Sequence, residues 1–130
     1  MGGETKATLL IVDGEPGILN ALRRQLAEEP YGLLLTDDAG QALRWLREGR
    51  VGAVLCDGRM TGPEGRSLLA WAAELAPGAT RIVLGGAGDA RAVEGGEACC
   101  ALDKPWDETT LLGRLREAMG LVVGRGCQGG

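Results

Sequence analysis

Residues 51–57 read Val51-Gly-Ala-Val-Leu-Cys-Asp57, a short apolar run closed by a single acid. The run is too short and too continuously apolar for an amphipathic helix, and it suits a strand buried on both faces. Four other stretches read the same way: Thr8–Val12, Gly32–Thr36, Thr80–Leu84 and Ala98–Leu102. The spacing predicts helices between them. Ile18, Leu19, Leu22 and Leu26 share one face after Pro16, a good first-turn residue. Ala39, Ala42, Leu43 and Leu46 form a second stripe, with Asp38 as N-cap and Gln41 completing a capping box. Leu68, Leu69, Ala72 and Leu75 form a third, ending before Pro77-Gly78. A fourth segment, Gly88–Glu97, is poor in apolar contacts and is broken by Gly95-Gly96, so its helix should be short or frayed. Leu111, Leu112, Leu115 and Met119 make the last stripe, with Asp107 as N-cap and Gly120 as stop.

Strict alternation of strands and helices argues for a parallel sheet covered on both sides. With right-handed crossovers, the expected fold is α/β: a flavodoxin-like, doubly wound (βα)5 three-layer sandwich with strand order 2-1-3-4-5. The 130 residues suffice for one such domain. Its expected extent is 7–119, with an N-terminal lead over 1–6 and a flexible Gly-rich tail over 120–130.

Composition removes several functions. There is no His, so neither a Ser-His-Asp triad nor a His-ligated metal is possible. Cys56, Cys99, Cys100 and Cys127 include no C-x-x-C pair, which argues against a zinc or thioredoxin-like motif. The first three read as small buried strand residues, and Cys127 as exposed in the tail. Acidic balance (net charge −4) argues against direct nucleic-acid binding. No apolar run approaches a membrane span, and the N-terminus does not read as a signal peptide, so a cytoplasmic location is expected. With no Phe and few aromatics, the core must come from Leu, Val, Ile and Ala. Trp45 and Trp71 read as helix–sheet packing and Trp106 as partly buried.

In a doubly wound sheet, ligands bind at the carboxyl ends of the strands. Polar residues fall there: Asp13 after the first strand, Asp57 after the third, Gly85-Gly86 after the fourth, Asp103-Lys104 after the fifth. The strand order puts Asp13 beside Asp57. Two adjacent carboxylates repel, which favours a bridging divalent cation. Glu15 adds negative charge, although first-turn acids also serve the helix dipole. Lys104 suits a phosphate oxygen. Acids, Mg²⁺ and a lysine around one Asp make a site for an acyl phosphate. The plainer alternatives are a loop-capping Asp57 and a solvated surface Lys104.

These residues carry a resemblance. Leu10-Ile-Val-Asp-Gly-Glu-Pro16, Cys56-Asp-Gly-Arg-Met-Thr-Gly62 with Gly65, Arg81-Ile-Val-Leu-Gly-Gly86 and Asp103-Lys-Pro-Trp-Asp107 resemble the response-regulator receiver domain of two-component signalling, over about residues 7–119. The resemblance implies that Asp57 accepts a phosphoryl group from a histidine kinase or phosphotransfer protein. It implies that Asp13, Asp57 and the main-chain carbonyl of Arg59 hold Mg²⁺; Glu15 is only a candidate replacement for the acid missing at position 14. It implies that Lys104 contacts the phosphoryl group and that the bond before Pro105 is cis. An output domain or a homodimer partner is also implied. The domain is expected to signal, catalysing at most its own phosphorylation and dephosphorylation.

The departures are as specific as the matches. Gly14 stands where the family carries a second acid, which should weaken Mg²⁺ binding. Gly85 replaces the usual Ser or Thr, and Ala101 the usual aromatic switch residue. These changes keep open a phosphorylation-independent pseudo-receiver that acts as an interaction or dimerisation module. A haloacid-dehalogenase-like phosphatase would need an acid where Arg59 stands. Gly85-Gly86-Ala87-Gly88 lacks a nucleotide motif, and no Ser/Thr-rich loop for FMN follows the first strand.

Overall fold

The computed structural model describes residues 7–85 and 93–121. Within them the order is β1 (Thr8–Val12), α1 (Pro16–Gln25), β2 (Gly32–Thr36), α2 (Ala39–Glu48), β3 (Val51–Asp57), a 3-10 turn (Pro63–Gly65), α3 (Leu68–Leu75), β4 (Thr80–Gly85), β5 (Cys100–Asp103) and α4 (Glu108–Ala118). All strand pairs are parallel and the sheet order is β2-β1-β3-β4-β5. This is the expected doubly wound sandwich.

Alternation along each strand builds the two sides of the core. Leu10, Val12, Val54, Cys56 and Val83 face α2 and α3, meeting Leu43, Leu46, Leu68 and Leu69. Leu9, Ile11, Leu55, Ile82 and Leu84 face α1 and α4, meeting Leu22, Leu111 and Leu115. These leucines are almost wholly buried, worth roughly 1.5–3 kcal/mol each in transfer free energy.

Register then positions the site. Val12 lies beside Cys56, Asp57 beside Leu84 and Gly85 beside Asp103. The residues after β1, at the end of β3 and after β5 therefore meet at one edge of the sheet.

The structure refines several expectations. Strand β5 starts at Cys100, not Ala98, because the preceding chain is turned. The Arg81 side chain donates Nε to the Glu97 carbonyl at 2.8 Å and a terminal nitrogen to the Gly96 carbonyl at 3.3 Å. Cys99 and Cys100 are half-buried, whereas Cys56 is buried as expected. The capping box at α2 is only half made. Asp38 accepts from the Gln41 amide at 2.8 Å, but the Gln41 side chain accepts from Arg44 instead, and the Asp38 amide donates to Thr36 Oγ1. Trp71 does more than pack on the core: its Nε1 donates to the Pro63 carbonyl and its ring lies 4.6 Å from the Arg66 guanidinium carbon. Of the Gly88–Glu97 segment, Val93-Glu94 is helical and Gly96 takes φ +84, while 88–92 lies outside the described residues. So do the lead 1–6 and the tail from 122 onward, with Cys127.

Candidate functional site

Asp13 follows β1, where its amide donates to the Thr36 carbonyl at 3.2 Å and its side chain is wholly buried. One oxygen, Oδ1, accepts from the Glu15 amide at 2.9 Å. That bond turns the chain into α1, whose first residue is Pro16. Asp57 closes β3 and is 4% exposed. The chain turns immediately, with the Met60 amide donating to the Asp57 carbonyl. This turn brings the Arg59 amide to Asp57 Oδ1 at 2.9 Å. Lys104 is delivered by β5: its amide donates to the Gly85 carbonyl, and the following bond to Pro105 is cis.

The side chains converge. Lys104 Nζ lies 2.7 Å from Asp13 Oδ2 and 3.3 Å from Asp57 Oδ2. The contact to Asp13 is the shorter of the two ion pairs and falls on a buried carboxylate oxygen. Arg59 folds its guanidinium back over Asp57, with Nε 3.4 Å from Oδ1 and a terminal nitrogen 3.2 Å from Oδ2. Burial pushes the Asp57 carboxyl up, but hydrogen bonds from Arg59 and Lys104 outweigh it and hold the carboxyl below the ordinary range. Burial likewise pushes Lys104 down, and contacts with Asp13 and Asp57 more than reverse it. The cluster thus holds an ionised carboxylate between two cations.

Of the residues singled out by sequence, Asp13, Asp57 and Lys104 meet directly. Glu15 stays exposed and helps line a cleft of about 490 Å³ with Ile18, Gln25, Lys104, Pro105 and Trp106. Gly85 ends β4, buried and without a hydroxyl, and Ala101 is exposed on β5. Gly14 supplies no oxygen side chain, and a Cβ there would meet only Met60 Sδ at 4.0 Å.

Sequence reading missed the Arg59 side chain, having considered only its carbonyl. The available signal was a cation two residues after a strand-end acid. It also missed the bond from Trp106 Nε1 to Gln25 Oε1 at 2.8 Å, which spans 81 positions and leaves no local trace.

The donor set fits a divalent cation in part. Asp13 Oδ2 is buried and faces the site, but Lys104 Nζ lies 2.7 Å from it, so a metal ion would have to share or displace that ammonium. The other carboxylate beside it is Asp57, whose Oδ2 lies 3.3 Å from the same Lys104 Nζ. No group of three or more His, Cys, Asp or Glu side chains able to hold a metal occurs among the described residues.

The family described as the response regulator receiver domain matches residues 9–116. The hydrogenase transcriptional regulatory protein HoxA of Cupriavidus necator is 34% identical over 97% of this chain and 26% of its own length. The transcriptional regulatory protein GlrR of Escherichia coli is 32% identical over 87% of this chain and 26% of its own. The chain therefore spans about a quarter of the length of these relatives. The crystal structure of the signal receiver domain of an HD domain-containing protein from Pseudomonas fluorescens superposes with a TM-score of 0.79 and 35% identity, covering 92% of each chain. Family members of this kind are signalling domains and generally bind Mg²⁺ at the acidic pocket. Among the described residues, no helix is long and apolar enough to cross a membrane.

Proposed function

The chain belongs to the response regulator receiver domain family, and from that premise we propose that Asp57 is its phosphoacceptor. The supporting observation is the cluster in which Lys104 touches both of the buried carboxylates, Asp57 and Asp13. A carboxylate kept ionised at a strand end is a competent nucleophile. With a phosphohistidine donor, an Asp57 oxygen forms the new P–O bond while the P–N bond breaks and the donor ring keeps the electron pair. Lys104 neutralises charge on the transferred group, because its Nζ already lies against the attacking carboxylate. Asp13, Asp57 and the Arg59 carbonyl would hold Mg²⁺, weakly because Gly14 contributes nothing. When bound, the ion supplies positive charge to the phosphoryl oxygens.

The receiver occupies 7–119, and a histidine kinase or phosphotransfer protein is its donor. Its longer relatives are transcriptional regulators, which supports an output region elsewhere in a larger protein. The domain does not bind nucleic acid itself, acts on no separate substrate and works in the cytoplasm. Gly85 and Ala101 carry no side chain able to follow the phosphoryl group, so the signal leaves by another route than a hydroxyl–aromatic pair. The relatives favour this reading over a phosphorylation-independent module.

The test is intact mass after incubation with acetyl phosphate, with and without Mg²⁺. The expected result is a gain of one phosphoryl group that is absent in Asp57→Asn. No gain under conditions that label an ordinary receiver would overturn the assignment.

A further inference from the structure

The pocket holds two buried carboxylates and two cations. Asp13 and Asp57 sum to −2, and Lys104 and Arg59 to +2. Lys104 is the inner cation, with its side chain 17% exposed. Arg59 is the outer one: its side chain is 73% exposed, and it covers a carboxylate that is 6% exposed. Anything reaching Asp57 from solvent on that side meets the guanidinium first.

Two features make this cover displaceable. Its contacts are long, at 3.2 and 3.4 Å, against the roughly 2.7–2.9 Å of firm charge-assisted bonds. The backbone of residue 59 is pinned separately by the hydrogen bond that its N–H donates to Asp57 Oδ1, so the side chain can leave without moving the main chain. The carbonyl of Arg59 and its guanidinium then act in opposite senses. The carbonyl is an oxygen that a divalent cation can use, while the guanidinium occupies the carboxylate oxygens the same cation needs.

We infer that the Arg59 side chain is a tethered counter-ion that competes with Mg²⁺ for Asp57 and sets how readily the metal enters. With Arg59 in place each buried carboxylate has a cation to match it, and with it swung out the two carboxylates share Lys104. The inference rests on the reading of Asp57 as the phosphoacceptor site, but it concerns metal entry and is measured without phosphorylation.

The experiment is Mg²⁺ titration of the full chain, followed by calorimetry and by tryptophan fluorescence, for the native protein, Arg59→Met, Arg59→Lys, Asp57→Asn and the double variant Arg59→Met/Asp57→Asn. Arg59→Met is expected to bind Mg²⁺ roughly two- to fivefold more tightly, and Arg59→Lys to fall between it and the native protein. In the Asp57→Asn background the gain should vanish, because the competition is for that carboxylate. Unchanged or weaker binding in Arg59→Met, with the fold intact by circular dichroism, would overturn the inference. So would an equal gain without Asp57, which would mark a general charge effect, or no binding in any variant. Failure of the phosphoacceptor reading would show differently, as absent acetyl-phosphate labelling whatever the titration gives.

Discussion

Two arginines clasp carboxylates at opposite ends of the sheet. At the amino end, Arg116 donates Nε and a terminal nitrogen to the two oxygens of Glu29 at 2.8 and 2.7 Å. At the carboxyl end, Arg59 offers the same atoms to Asp57 at 3.4 and 3.2 Å. The first pair joins residues 87 positions apart and ties the α1–β2 connection to α4. Glu29 is 7% exposed at its side chain, and among the described residues Arg116 is the cation it pairs with. The second pair joins neighbours along the chain and shares its carboxylate with Lys104. The chemistry of the fork is common to both. What differs is competition: a carboxylate with one partner is held tightly, and one with several is held loosely by each. Tight, exclusive pairing suits holding the fold together, while loose, shared pairing leaves a carboxylate able to exchange partners.

The largest effects should separate these roles completely. Asp57→Asn is expected to abolish labelling by acetyl phosphate while the melting temperature stays within a few degrees of native. Glu29→Gln should do the reverse, lowering the melting temperature and leaving the label intact. Parallel mass and thermal-melt measurements on both variants check this. A large loss of stability in Asp57→Asn, or lost labelling in Glu29→Gln, would break the distinction.

Gly14→Asp sharpens the carboxyl end alone. A Cβ at position 14 would touch only Met60 Sδ at 4.0 Å, and the residue has no positive φ, so the variant should fold. Changes in outer-sphere groups alone shift metal affinity by about 10–100-fold, and a new direct carboxylate ligand should tighten Mg²⁺ binding by at least about tenfold. Unchanged affinity in a calorimetric titration would show that position 14 lies outside the metal's reach.

Much of this was legible in the sequence, for identifiable reasons. Strands buried on both faces must be continuously apolar, so Val51–Cys56 and its four counterparts stand out. Their alternation with helical stripes fixes the layers. Asp13, Asp57 and Lys104 were legible because acids and lysines at strand ends break that apolar pattern. The direction of the Arg59 side chain was not, since it depends on the turn closed by the Met60 amide on the Asp57 carbonyl. Glu29–Arg116 and Gln25–Trp106 were not either, because each joins residues more than 80 positions apart. The half-made capping box at Gln41 shows a local competition: Arg44 claims the side chain that the pattern assigned to Asp38.

The smallest effect tests the amino end by acid. The hydrogen bond from Arg116 holds the Glu29 carboxyl below its ordinary range, against burial, which pushes it up. A group whose folded pKa is depressed stabilises the fold above its unfolded pKa of about 4.3, and that contribution is lost as pH falls through the folded value. Glu29→Gln lacks the titrating group. The gap in melting temperature between native and variant should therefore be constant through neutral pH and close progressively as pH falls below the unfolded value of about 4.3. Asp57 is also depressed, but it is present in both proteins and cancels in the difference. Nearby, burial and the Glu29 charge raise the Tyr31 hydroxyl to about 12, so it stays neutral across this range and adds nothing to the gap. A gap that persists unchanged at low pH would mean that Glu29 acts through its shape rather than its charge. The two arginine pairs would then differ in kind, not only in how many partners compete for the acid.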